Sequence, residues 1–171
     1  MVYLGFHWVC DSLEELYAVP EPFFLFIGVI NERKNVLRIV RAFRLFLAEN
    51  PQHHLVLIGK TGGSYYEKIV RSMQNEQIQK SVHFIGHLTD GQLAYAYHRA
   101  VALVFPSIIE GFGFPVLEAM QCGTPVITSK ASSLPELAGD AALLVDPYQV
   151  EDIAAAMKKM VQDKKFRDEQ R

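Results

Sequence analysis

Cysteine is scarce in this chain. Only Cys10 and Cys122 occur among 171 residues, far apart, with no C-x-x-C and no histidine at metal-ligand spacing. That excludes a disulfide scaffold and a zinc ribbon, and reads as reduced thiols in a cytoplasmic protein. Long hydrophobic runs are lacking too: none approaches the ~20 apolar residues of a membrane helix. The opening "MVYLGFHWVCDS" has no basic stretch followed by an apolar one, so no secretory signal is visible. An excess of one charge is also missing. The formal net charge of −2 gives no global reason to bind nucleic acid or an anionic membrane. His7, His53, His54, His83, His87 and His98 are scattered without helical ligand spacing, and no metal is expected. Internal repeats, low-complexity segments and linkers are absent, and the length fits one domain.

What the chain has is alternation. Short apolar runs occur at Phe23–Gly28, His54–Gly59, Val82–His87, Val101–Pro106, Pro125–Thr128 and Ala141–Pro147. Each is rich in Val, Ile, Leu or Phe and closed by Gly, Pro, His, Asp or Thr, as strands buried on both faces are. Helical patterns lie between them: about Asn35–Glu49, Tyr65–Gln74, Thr89–Arg99, Phe114–Gln121 and Val150–Gln162. Thr89 or Asp90 would cap the third. "SLPE" (Ser133–Glu136) is a capping-box pattern opening a short helix. This predicts an α/β fold, a Rossmann-like doubly wound parallel sheet of about six strands with helices on both faces. Residues 1–22 read as an N-terminal connection, 23–162 as the domain, and 163–171 as a polar tail prone to fray.

In such a sheet ligands bind beyond the carboxyl ends of the strands, so the loops there carry the chemistry. "IGKTGG" (Ile58–Gly63) invites a phosphate-loop reading. The glycine that motif needs five positions earlier is His54, and no glycine-rich cradle precedes Lys60. A surface turn is the better reading. "GVINERKN" after the first run is no G-x-G-x-x-G either. It does place Arg33 and Lys34 just before a helix, where cations, amides and the helix dipole together favour an anion.

The fourth run leads into "EGFGFPVLEAM". Pro115 has to sit in the first turn of its helix, so the helix begins near Phe114 and Gly111–Gly113 form a tight loop before it. Glu110 then stands on the loop and Glu118 about one turn into the helix. Read alone, Glu118 would pass for a solvated helix residue and Glu110 for a partner of the helix dipole. With the neighbouring cations a different division emerges. Carboxylates only accept hydrogen bonds and suit vicinal hydroxyls, while amides and cations suit phosphate. A sugar nucleotide presents both.

At these residues the chain resembles the retaining glycosyltransferases of the GT-B fold, family four, also called group 1. The resemblance covers nearly the whole length and is carried by "VFPS", the E-x7-E of Glu110 and Glu118, "CGTPVI" and "SSLPELAGDAALLVDP" in that order. "GVINERKN" is similar to the variant found in mannosyltransferase-like members. The resemblance implies one half of a GT-B fold, the donor-binding domain, with a separate N-terminal acceptor domain supplied in cis or trans. It implies a GDP- or UDP-linked sugar, no metal, and an acceptor sugar or lipid-linked glycan. Glu110 would lie at the donor sugar and Glu118 at the ribose hydroxyls. Lys34, assisted by Arg33, would hold the diphosphate. Gly28 and the backbone of Gly111, Phe112, Gly113 and Phe114 would line the donor, and the base would lie near Gly86 and His87.

Two departures stand out. Val29 occupies a place where many relatives carry arginine, so the diphosphate falls more heavily on Arg33 and Lys34. The acceptor domain has no room in this length, and "MVYLG" resembles the crossing between the two domains. The expectation is therefore a fragment or split gene product, cytoplasmic, whose full-length protein would sit peripherally at the inner membrane face. This domain itself would make no membrane contact. The expected function is hexosyl transfer, mannosyl or glucosyl, with retention. The alternatives are a non-catalytic nucleotide-sugar-binding module and, behind it, a sugar-nucleotide epimerase.

Overall fold

Five consecutive apolar residues, FFLFI, form the first strand, β1 (Phe23–Ile27), and Phe23 to Phe26 are fully buried. A strand apolar on both faces needs a layer on each, and the rest of the chain supplies them. In this computed structural model residues 21–73 and 75–169 are described. The reading of "MVYLG" as a crossing segment lies outside them.

The elements follow in order: α1 (Val36–Leu47), β2 (His54–Ile58), α2 (Gly63–Ser72), α3 (Glu76–Ser81), β3 (Val82–Ile85), α4 (Asp90–Arg99), β4 (Leu103–Phe105), α5 (Phe114–Gln121), β5 (Val126–Ser129), α6 (Leu134–Ala138), β6 (Leu143–Val145), α7 (Val150–Gln162) and α8 (Lys164–Glu169). The sheet runs β3-β2-β1-β4-β5-β6 and every pairing is parallel. Helix α1 packs on α7 and α2; α5 packs on β4, β5 and α6; α4 lies against β1. Right-handed crossovers that run one way from β1 and the other way from β4 put these two groups on opposite faces. The expected doubly wound architecture is therefore the observed one.

Phenylalanine dominates the centre. Phe24 meets Phe46 edge-on at 5.2 Å, and Phe26 stacks on Phe105 at 6.0 Å. Each such ring contributes about 1.5–3 kcal/mol by leaving water. The second pair spans β1 and β4, the central strands between which the chain reverses its winding. In a sheet of this order a ligand crevice is expected beyond the carboxyl ends of these two strands.

Four local features differ from the sequence reading or settle it. Thr89 caps α4 through a full capping box with Gln92. Helix α3 was not anticipated; Asn75 opens it by accepting from the Ile78 N–H at 2.8 Å. The tail does not simply fray, because α8 forms over Lys164–Glu169 with Phe166 packed on the core beneath the Lys159 ammonium, 3.9 Å away. Finally, Ser133 makes no capping bond to α6. Its hydroxyl is committed elsewhere.

At the opposite edge His54 and His83 meet across β2 and β3, with Nδ1 and Nε2 3.0 Å apart. Burial lowers both pKa values below the ordinary imidazole value, so this contact is between neutral rings near pH 7. Among the described residues no group of three or more His, Cys, Asp or Glu is placed to hold a metal ion.

Candidate functional site

Strand β1 leads into Gly28, whose φ of 143° suits glycine and whose N–H donates to the Ile58 carbonyl at 2.9 Å. The chain then turns through Asn31, whose side chain accepts from the Lys34 N–H at 3.0 Å. That turn aims Lys34 back over the crevice. Its Nζ stands 4.6 Å from the centre of the Phe105 ring at the end of β4, and pairs with the Glu110 carboxylate. Both side chains are only 15% exposed, so water screens the pair less than it would a surface salt bridge.

Sequence reasoning took Asn35 for a simple helix opener. It is 1% exposed and left-handed, φ 63°. Its Nδ2 donates to the Pro106 carbonyl at 3.0 Å and the Pro147 carbonyl at 2.6 Å, while Oδ1 accepts from Arg38. One buried amide thereby ties the loops after β1, β4 and β6 together, next to Lys34. The only hint in the sequence is its type, since asparagine tolerates the left-handed region better than most residues. Asn35→Ala should lower stability by about 2–3 kcal/mol in urea denaturation, because two buried carbonyls lose their donor. A loss below ~0.5 kcal/mol would show that the tie is not what holds these loops.

The loop carrying Glu110 is fastened from outside. The Ile108 N–H donates to the Arg33 carbonyl at 2.8 Å, so the loops after β1 and β4 are directly bonded. Ser132 accepts from the Glu110 N–H at 3.2 Å and donates to its carbonyl at 2.8 Å; Ser133 donates to the same carbonyl at 3.0 Å. That is where the expected cap of α6 has gone. Ser107, fully buried in "FPS", has a hydroxyl without a hydrogen-bond partner among the described residues.

Of the glycines in the motif, Gly113 has φ 90° and its missing side chain makes room for α6. A Cβ there would lie 2.8 Å from Leu134 and 3.0 Å from Leu137. Gly111 is different: nothing lies within 4 Å of a Cβ built on it, leaving that side open for a ligand. Phe112 and Phe114 are exposed with ring centres 4.8 Å apart. Pro115 sits in the first turn of α5, as the hydrogen bonding of the helix demands.

Glu118 projects from α5, and its Oε2 accepts from the Tyr97 phenol of α4 at 2.7 Å. Tyr97 is fully buried, and no sequence signal separated it from an ordinary core aromatic. Burial, then the neighbouring Glu118 charge, push its pKa well above the usual phenol value.

The fold thus brings Lys34, Glu110, Gly28 and the motif loop together. Arg33 is exposed; its carbonyl contributes, while its guanidinium enters none of the bonds described. Gly86 and His87 are exposed in the loop after β3. They share the same edge of the sheet at about 10 Å from the β1 end, two strand spacings away.

Comparison with known proteins gives the family. The family described as "Glycosyl transferases group 1" matches residues 14–171. The serotype-specific mannosyltransferase WbdA of Escherichia coli is 37% identical over 158 residues, covering 91% of this chain and 19% of that protein. The O-antigen chain mannosyltransferase B of Escherichia coli is 34% identical over 156 residues, covering 91% and 41%. Among solved structures, the C-terminal domain of the group 1 glycosyl transferase LpcC from Francisella tularensis superposes with a TM-score of 0.76. It is 27% identical over 86% of this chain and 78% of that one. The chain therefore spans only about a fifth to two fifths of these curated relatives. Its fold, its motif order and these matches place it plainly: the chain belongs to the glycosyl transferases group 1 family.

Proposed function

We propose that this chain is the donor-binding half of a hexosyltransferase that takes a nucleotide-linked sugar and passes its hexosyl group to an acceptor with retention of configuration. The observation that carries the reading is the Lys34–Glu110 pair over Phe105, beyond the carboxyl ends of β1 and β4, where the winding of the sheet reverses. A cation there neutralises a departing diphosphate, and a carboxylate beside it faces the electron-poor sugar carbon. Neutralisation by Lys34, Arg33 and the amino end of α5 requires no metal. Glu118, one oxygen already bonded, offers the other to ribose hydroxyls. The base then extends toward Gly86 and His87.

The similarity to mannosyltransferases favours a mannosyl donor, GDP- or UDP-linked. The acceptor, a sugar or lipid-linked glycan, would be held by a second domain across the crevice. This fits a cytoplasmic reaction. No helix among the described residues is long and apolar enough to cross a membrane.

Calorimetry with GDP-mannose, UDP-glucose, GDP and UDP tests the reading. At least one pair should bind, and Glu118→Ala should weaken it about 10- to 30-fold, the worth of hydrogen bonds to a charged group. Binding of none of the four would overturn the proposal.

A further inference from the structure

We propose that Tyr97 is a positioning residue for nucleotide recognition: its phenol holds the Glu118 carboxylate in the one orientation that accepts a pair of vicinal ribose hydroxyls. The inference rests on the reading of Glu118 as the ribose contact.

The geometry is unusual for a surface-facing acid. Glu118 is partly exposed on α5, yet Oε2 receives the fully buried Tyr97 O–H at 2.7 Å. The same phenol lies 3.3 Å from the Pro115 carbonyl in the first turn of α5. The far end of Tyr97 is fixed as well, because its own carbonyl accepts from the Thr124 hydroxyl at 2.8 Å. The ring is thus clamped between the turn before β5 and the start of the motif helix. Its hydroxyl is set by the fold and not by the ligand.

Three consequences follow for the acid. A glutamate has several rotatable bonds, and an unrestrained one loses that freedom when it grips a ligand. Here one oxygen is already held, so the loss is incurred at folding. A diol is read by a carboxylate lying in a defined plane, and fixing Oε2 fixes that plane, leaving Oε1 and the second lone pair of Oε2 to accept. The phenol stays protonated because burial and the adjacent carboxylate raise its pKa, so it remains a donor and never an anion beside the ligand. A bond serving only the packing of α4 on α5 would have no dependence on the sugar of the nucleotide.

That difference sets the experiment. Affinities of the full chain for GDP and 2′,3′-dideoxy-GDP, or the uridine pair if it binds better, are measured by calorimetry. The wild type should prefer the ribonucleotide by about tenfold or more. Tyr97→Phe removes one oxygen and should cut that preference to about threefold or less, with the dideoxy affinity little changed. Tyr97→4-aminophenylalanine, a weaker donor of similar shape, should give an intermediate ratio. It is read in place of the Phe variant if circular dichroism shows that variant unfolded. Asn75→Ala, which removes the cap of α3 and touches neither Tyr97 nor Glu118, is the control, expected to lower the melting temperature and leave the ratio alone. If Tyr97→Phe weakens both ligands equally or neither, while Glu118→Ala still abolishes the preference, the positioning role is overturned. A preference that survives Glu118→Ala overturns the ribose reading itself, and this inference with it.

Discussion

Lys34→Ala is expected to lower the affinity of the chain for a nucleoside diphosphate about 100-fold, the equivalent of ~3 kcal/mol. The size comes from where the charge sits. An exposed lysine in a loop contributes little to binding an anion, since water and salt screen it. Lys34 is mostly buried, lies against the Phe105 ring, and is held by a turn that Asn31 and Asn35 close. Its removal does two things at once. The diphosphate loses its cation, and Glu110 keeps a carboxylate at the same place without a counter-ion. The second effect separates this prediction from a simple loss of charge. Glu110→Gln should act in the opposite direction, raising diphosphate affinity several-fold, because the anion no longer competes for Lys34. Joined to the acceptor domain proposed above, the same variant should lose most transfer activity, since the carboxylate proposed to face the sugar is gone. Wild-type binding should weaken with added salt, and Lys34→Ala should show a flatter dependence. An unchanged affinity in Lys34→Ala, with the melting temperature also unchanged, would remove the diphosphate from this crevice altogether.

How much of this was readable beforehand divides by range. The six strands were legible because each is a short apolar run closed by a turn residue, and that signal is local. The start of the helix at Phe114 was legible to the residue, since the proline ring in its first turn is a covalent constraint. Helix α3 was missed because six mostly polar residues, EQIQKS, present just Ile78 and Ser81 to the interior. Ser133 shows the other kind of failure. Its capping pattern was correctly seen, but a carbonyl far along the chain, that of Glu110, won the hydroxyl. Asn35 and Tyr97 fail likewise, for their partners lie on other loops and no local pattern names them. The candidate acids and cations are chosen by type and spacing; apart from the local Asn31 bond at Lys34, what ties them in place is long-range.

Gly59 makes the same point with the largest expected effect on stability. In the sequence "IGKTGG" its glycines look alike, a flexible turn around Lys60. In the structure Gly62 and Gly63 are open, with nothing within 4 Å of an added Cβ. A Cβ on Gly59 would fall 2.0 Å from the carbonyl oxygen of Gly28. No side chain can rotate away there, because the obstacle is backbone. The two glycines close the ends of adjacent strands, Gly28 donating to Ile58 and Gly59 donating to Ile85, both at 2.9 Å. To admit a methyl group, β1 and β2 must part at their carboxyl ends, and at least one of these bonds must lengthen. Gly59→Ala should therefore lose about 3 kcal/mol or more and melt ~10 °C lower, at 2–4 °C per kcal/mol for a domain of this size. Gly62→Ala, strained only by its φ of 118°, should lose about 1 kcal/mol. The separation between the two variants is the test; equal melting temperatures would mean that the strands part freely. Whatever Gly59→Ala protein remains folded should also bind nucleotide more weakly, because the carbonyl that has to move belongs to the residue from which the Lys34 loop departs.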